Sequence, residues 1–169
     1  MDEIQRLPEL LNEIQSLMAK SARKRLSSHP KFYLFDTGVT NTLQRVLSAP
    51  PNPKHHGRLF EQYLILETHR LLSYHQSEAR LFYWRTNTGS EVDLLLEEHG
   101  ELKAAIEIKA LKSIEKRDLH GLKSFHESHP KVPMYVIGEV REAYSIDKVQ
   151  ILPWKTYLSR LFEKGLEAF

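Results

Sequence analysis

Cysteine is absent from this chain of 169 residues. That removes disulfides, thiolate-held zinc and thiol nucleophiles from consideration, and it fits a reducing compartment. Long apolar runs are missing as well, since nothing approaches the roughly 18–20 residues that span a bilayer. The opening MDEIQRLPELL lacks the basic-then-apolar order of a signal peptide. These absences lead us to expect a soluble cytoplasmic protein with no membrane partner. Charge of one sign is scarce too: 24 Lys+Arg against 22 Asp+Glu leave a net +2. A polyanionic partner is neither demanded nor excluded, because a local basic face can sit inside a balanced total. What is present is a globular mixture, 41% apolar and 27% charged. The length suits one domain with a small appendage.

Residues 2–20 carry Ile4, Leu7, Leu10, Leu11, Ile14 and Leu17 or Met18 at helical spacing, with Pro8 as an interruption. A basic run, Lys20–Arg25, and a polar loop, Ser27–Pro30, follow. Lys31–Phe35 reads as a short strand and residues 39–47 as a short helix. Ala49-Pro50-Pro51-Asn52-Pro53 is the best boundary. It divides residues 1–50, a helical extension and linker with a short strand, from residues 51–169, an α/β domain with its core at 57–138. In that domain residues 57–75 read as a helix with Phe60, Tyr63, Leu64, Leu71 and Tyr74 on one face. Strands follow at 81–85, 91–96 and 102–109, then a helix at 114–127 and an apolar strand at 132–137. A last strand at 147–152 and an amphipathic helix at 154–163 close the chain. The core order is helix-strand-strand-strand-helix-strand, which predicts a mixed sheet, because a strand returning after a helical crossover lies parallel to its neighbour.

Two of these strands carry chemistry. Val92-Asp93-Leu94-Leu95-Leu96 holds a carboxylate near its start, and Ala105-Ile106-Glu107-Ile108-Lys109 holds an acid and an amine two residues apart. Positions i and i+2 face one side of a strand, so Glu107 and Lys109 project together. A tight turn joins the strands, so Asp93 can sit beside Glu107. Mg²⁺ and Mn²⁺ take such oxygen ligands. A coordinated water then becomes more acidic, with a lysine to orient it or to stabilise charge on a phosphate. This is a minimum kit for phosphodiester hydrolysis.

Asp93, the Glu107-Ile108-Lys109 triplet after a short hairpin, and a preceding helix bearing Glu61 resemble the PD-(D/E)xK nuclease superfamily. More narrowly, KFYLFDTGV (31–39), GRLFE (57–61) and TGSEVD (88–93) resemble one group within it. This group is the C-terminal domain that follows the P-loop module in many prokaryotic predicted AAA+ ATPases. The likeness runs from about residue 20 to 138. It implies a restriction-endonuclease-like core, DNA as partner, and Mg²⁺ or Mn²⁺ held by Asp93, Glu107 and Glu61. Lys109 becomes the catalytic lysine, with Asp93, Glu107 and Glu61 completing the catalytic set. Val92 stands where the superfamily's name has proline. The chain carries no G-x-x-x-x-G-K-[ST] loop, so the ATPase module is expected outside it.

Competing readings are simpler. Asp93, Glu107 and Lys109 could form a cross-strand ion pair alone. Glu67 projects into the apolar stripe of the first core helix while Glu61 lies on its flank, which makes Glu67 the rival acid. Asp36-Thr37-Gly38 spells an aspartic-protease triplet, but two helices follow, and a capping role for Asp36 or Thr37 fits better. His55-His56 reads as a solvated loop, Arg23–Arg25 as a solvated basic run, and Trp84 as core.

Overall fold

The computed structural model describes Lys31, residues 33–43 and residues 52–169. The amphipathic stretch at 2–20, the basic run, the Ser27–Pro30 loop, residues 44–47 of the expected short helix and the Ala49–Pro51 break lie outside the described residues. The elements are α1 (Thr37–Leu43), α2 (Pro53–Tyr74), β1 (Arg80–Arg85), β2 (Glu91–Glu98) and β3 (Glu101–Lys109). A 3₁₀ turn (Lys116–Leu119) then leads into α3 (His120–Ser128). After it come β4 (Met134–Gly138), β5 (Tyr144–Ile146), β6 (Val149–Pro153) and α4 (Trp154–Lys164), with a terminal 3₁₀ turn (Gly165–Ala168). Among the described residues no helix is long and apolar enough to cross a membrane.

The protein is α/β, and its described residues form a mixed six-stranded sheet in the order β1-β2-β3-β4-β6-β5. β1, β2 and β3 form an antiparallel meander. The β2–β3 turn is closed by His99 and Gly100, both at positive φ (54° and 83°), the backbone a two-residue hairpin needs. After α3 the chain returns as β4, parallel to β3, and β6 lies parallel to β4. β4 is buried along its whole length. The observed order differs from the expected one at this end. Tyr144–Ile146 is too short and too exposed to announce a strand, yet it pairs antiparallel with β6 and covers the sheet's edge.

Apolar clusters cover both faces. Leu94, Leu96, Ile106, Ile108, Tyr135 and Ile137 pack under α2 and α4. Val92, Leu95, Ala105, Val136 and Ile151 pack under the 3₁₀ turn and α3, through Leu119, Leu122 and Phe125. Trp84 is half-buried and meets Phe125 edge-on, so it packs against this cluster from its margin rather than inside it. Between α2 and α4, buried Thr68 Oγ donates to Leu64 O (2.7 Å), so the Tyr157 hydroxyl, also at 2.7 Å, must donate to Thr68.

Four local expectations are corrected. Lys31 and residues 33–35 are not strand. Side chains of α2 take the backbone groups that strand pairing would use: Gln62 Nε2 donates to Leu34 O (2.8 Å) and Arg70 to Phe35 O (2.6 Å). His55 and His56 lie in the first turn of α2 rather than in a loop. Asn52 accepts the Lys54 N–H (2.9 Å) and Pro53 occupies the first turn, so the helix starts four residues earlier than expected. The buried stripe of α2 is Phe60, Leu64, Ile65, Thr68 and Leu72, while Tyr63 and Tyr74 are 36% and 75% exposed. Glu67 consequently leaves the stripe and pairs with Arg70. The helix expected over 114–127 starts at His120, because Glu115 and Asp118 cap each other around a 3₁₀ turn first.

Candidate functional site

The site is built where β2 parts from β3. Pairing of these strands runs from Glu98↔Glu101 to Leu94↔Ile106. On the other side of β2, Phe82 faces Leu95 and Trp84 faces Val92, so three steps of β2 span two of β1. This bulge around Asp93 and Leu94 breaks the alternation: Val92 joins the cluster under α3, yet Leu94 joins the one under α2. Asp93 is thereby aimed at the parting strand, and its Oδ2 accepts the Ile108 N–H at 2.9 Å.

Its other oxygen points to Lys31. The Lys31 ammonium donates to Asp93 Oδ1 (3.2 Å) and Glu61 Oε1 (2.9 Å), and it also pairs with Glu91. The Tyr33 hydroxyl donates to the same Glu61 oxygen at 2.6 Å, and the Lys31 Nζ stands 5.8 Å from the Tyr83 ring centre. A segment N-terminal to the core thus places one cation among three carboxylates. Glu61 is brought to the site, and Glu67 is not.

Glu107 and Lys109 form a second unit. Lys109 Nζ lies 2.6 Å from Glu107 Oε1, and the Glu107 side chain is only 9% exposed. Glu107 Oε2 is buried without a hydrogen-bond partner. The first turn of α3 closes over it. A Cβ on Gly121 would lie 1.8 Å from the Glu91 carbonyl oxygen and 3.4 Å from Glu107 Oε2, so only glycine lets the helix approach this closely. Nearby, Ser90 Oγ and His120 Nε2 are 3.2 Å apart.

Burial, then the charge of Asp93, pushes the Glu107 carboxyl up to about 7, against the pull of Lys109. Burial, then Glu61, also raises Asp93, which Lys31, the Ile108 N–H and Lys109 partly offset. For Lys31 burial alone would lower the ammonium, but the Tyr33 oxygen and the Asp93, Glu61 and Glu91 carboxylates hold it well above its ordinary range. Lys109 is likewise raised, with burial opposed by Glu107 and Asp93.

Among the described residues no group of three or more His, Asp or Glu side chains is arranged to hold a metal ion. The donor chemistry nevertheless suits a hard cation: buried carboxylates, one oxygen of Glu107 unpartnered, and two carboxyls each raised by a negative neighbour. The ion pair read as a simpler alternative joins Lys109 to Glu107, while Asp93 pairs with Lys31.

Lys31, Tyr33 and Glu91 join the site without having been singled out from the sequence. Glu91 had a signal, since it stands two residues before Asp93, the same spacing that links Glu107 to Lys109. For Lys31 the signal was its place at the head of the 31–39 motif, since periodicity gives no sign that a strand-like run folds back onto a distant helix. The Asp36 triplet is structural: Asp36 Oδ1 accepts the Val39 N–H (2.9 Å) and caps α1.

The fold and site define an α/β domain whose mixed sheet carries two carboxyls, Asp93 and Glu107, each raised by burial and a negative neighbour, with two lysines beside them where two strands part. Residues 56–157, more than half of the chain, match the family described as Domain of unknown function (DUF4143), and the chain belongs to that family. No curated protein and no solved structure matches it.

Proposed function

We propose that this is a metal-dependent nuclease-like domain of restriction-endonuclease type that hydrolyses DNA phosphodiesters. The observation that carries the reading is Glu107. It is a buried carboxyl with an unpartnered oxygen, raised to about 7, with Lys109 on its other oxygen and Asp93 close enough to repel it. Such a group costs folding free energy unless a cation or a substrate uses it. Asp93, Glu107 and Glu61 would hold Mg²⁺ or Mn²⁺. When bound, the ion supplies charge for a phosphate oxygen and acidifies a water. Lys109 orients the attacking water or stabilises charge on the phosphate, and Asp93, fixed by Ile108, keeps its geometry through the step. The resemblance of residues 31–39, 57–61 and 88–93 to ATPase-linked domains supports an AAA+ module as the usual neighbour.

Plasmid cleavage with Mg²⁺ or Mn²⁺ tests this reading. Activity should need the ion and disappear in Asp93→Ala, Glu107→Ala and Lys109→Ala alike, because residues acting as a unit lose function non-additively. DNA affinity should be weak and fall with added salt, since a net +2 permits few phosphate contacts outside a local basic patch. Robust cleavage by Lys109→Ala removes that residue from the mechanism. Lys31 among the acids favours a second reading, a catalytically silent nucleic-acid-binding or regulatory domain. Salt-sensitive DNA binding without cleavage at any ion concentration selects it.

A further inference from the structure

We infer that Lys31 is the resident counter-ion of the acidic site and that a divalent cation must displace its ammonium to enter. The inference rests on the metal-site reading above and adds a built-in competitor to it. Lys31 Nζ engages one oxygen each of Glu61, Asp93 and Glu91. Two of these acids are ligands in the proposed metal set, so ammonium and metal ion claim the same donor atoms. An ammonium supplies one charge and three donors, and it cannot share those oxygens with a dication at close range without strong repulsion.

The way Lys31 is delivered makes the competition reversible. The segment that carries it is tied down independently. Gln62 donates to Leu34 O and to the Thr40 hydroxyl (both 2.8 Å), and Arg70 donates to Phe35 O (2.6 Å). Glu61 and Gln62 are neighbours on α2, so one residue takes the lysine's charge while the next holds the lysine's own chain. With these anchors kept, Lys31 can leave by side-chain rotation and remains tethered beside the site at high effective concentration. Among the described residues, two other cations near these acids, Lys109 and Arg85, are poorly placed to substitute. Lys109 is engaged by Glu107, and Arg85 Nε stands 3.9 Å from the far oxygen of Glu91. Occupancy of the acids thus passes between Lys31 and the ion, and the segment at 31–43 sets the ion concentration at which the site fills.

Titration calorimetry with Mn²⁺ alone on the full chain tests this, using wild type, Lys31→Met and Asp93→Asn. Wild type should bind Mn²⁺, Asp93→Asn should not, and Lys31→Met should bind on the order of tenfold tighter or more, because a like charge has been removed from contact distance. In parallel, an amine-acylating reagent followed by peptide mass spectrometry should find Lys31 protected in the ion-free wild type and reactive with Mn²⁺. Equal or weaker binding by a folded Lys31→Met, or a Lys31 that stays protected in the Mn²⁺-loaded wild type, overturns the competition and leaves the metal reading standing. Absence of Mn²⁺ binding by both wild type and Lys31→Met defeats the metal reading itself. Should Lys31→Met fail to fold, the acylation of wild type decides alone.

Discussion

Asp93 and Ile108 are joined across the gap between β2 and β3: the Asp93 Oδ2 atom accepts the Ile108 N–H at 2.9 Å, beyond the last backbone pair at Leu94↔Ile106. A side chain stands in for a strand, so the sheet can open there without an orphaned donor, and the carboxylate that fills the gap is fixed for other work.

This relation separates two substitutions at one position. Asp93→Asn can still accept from Ile108, and it removes a charge that burial and Glu61 oppose. Its melting temperature with chelator should equal or slightly exceed that of wild type, and any upward shift of wild type on adding Mn²⁺ should vanish. Asp93→Ala leaves the Ile108 N–H without that partner and should cost about 1–3 kcal/mol. A clear drop for Asp93→Asn under chelator would mean that the pair with Lys31 stabilises the fold more than the buried charge costs.

Glu107 predicts a pH dependence. Its folded value of about 7 lies above the ordinary carboxyl value of 4.5. Between these pH values the folded state keeps a proton that the unfolded chain has lost, so stability falls as pH rises through the window. The contribution is on the order of 1–3 kcal/mol. Urea melts of wild type and Glu107→Gln from pH 4 to pH 8 should show this downward slope in wild type and a flatter profile in the variant. Parallel profiles would place the burial cost elsewhere.

Gly121→Ala should be severe for so small a change. The new methyl would lie 1.8 Å from a backbone oxygen of Glu91, which no side-chain rotation relieves. Either α3 or the start of β2 must shift, with a loss of at least about 1–3 kcal/mol, and any cleavage activity should fall even where folding survives. A variant that melts like wild type would show that the helix end has slack.

Thr68→Val keeps shape and removes a hydroxyl. The Tyr157 hydroxyl, wholly buried between α2 and α4, then has no acceptor at that position. A loss of about 1–3 kcal/mol is expected, and Tyr157→Phe in the same background should recover part of it. Additive losses in the double variant would rule out the hydrogen bond as their source.

Residue order alone determined the meander, the crossover helix and the acid-x-lysine pairing. Each rests on a short-range rule: alternation along Glu107-Ile108-Lys109, left-handed turn positions at His99-Gly100, and apolar runs in β2 and β4. It also gave Glu61 a place on the helix before the sheet, through a motif rather than through periodicity, which favoured Glu67. Tertiary structure decided the rest because those features depend on partners far along the chain. The bulge that turns Asp93 exists only against β1, β5 is a strand only because β6 offers an edge, and Tyr63 and Tyr74 face outward only once α4 and the sheet have taken the rest of α2. Lys31 is the clearest case. Thirty residues separate it from Glu61 and sixty-two from Asp93, and no local rule spans such a distance. Its place among the acids follows from α2 side chains capturing the backbone of the segment that carries it.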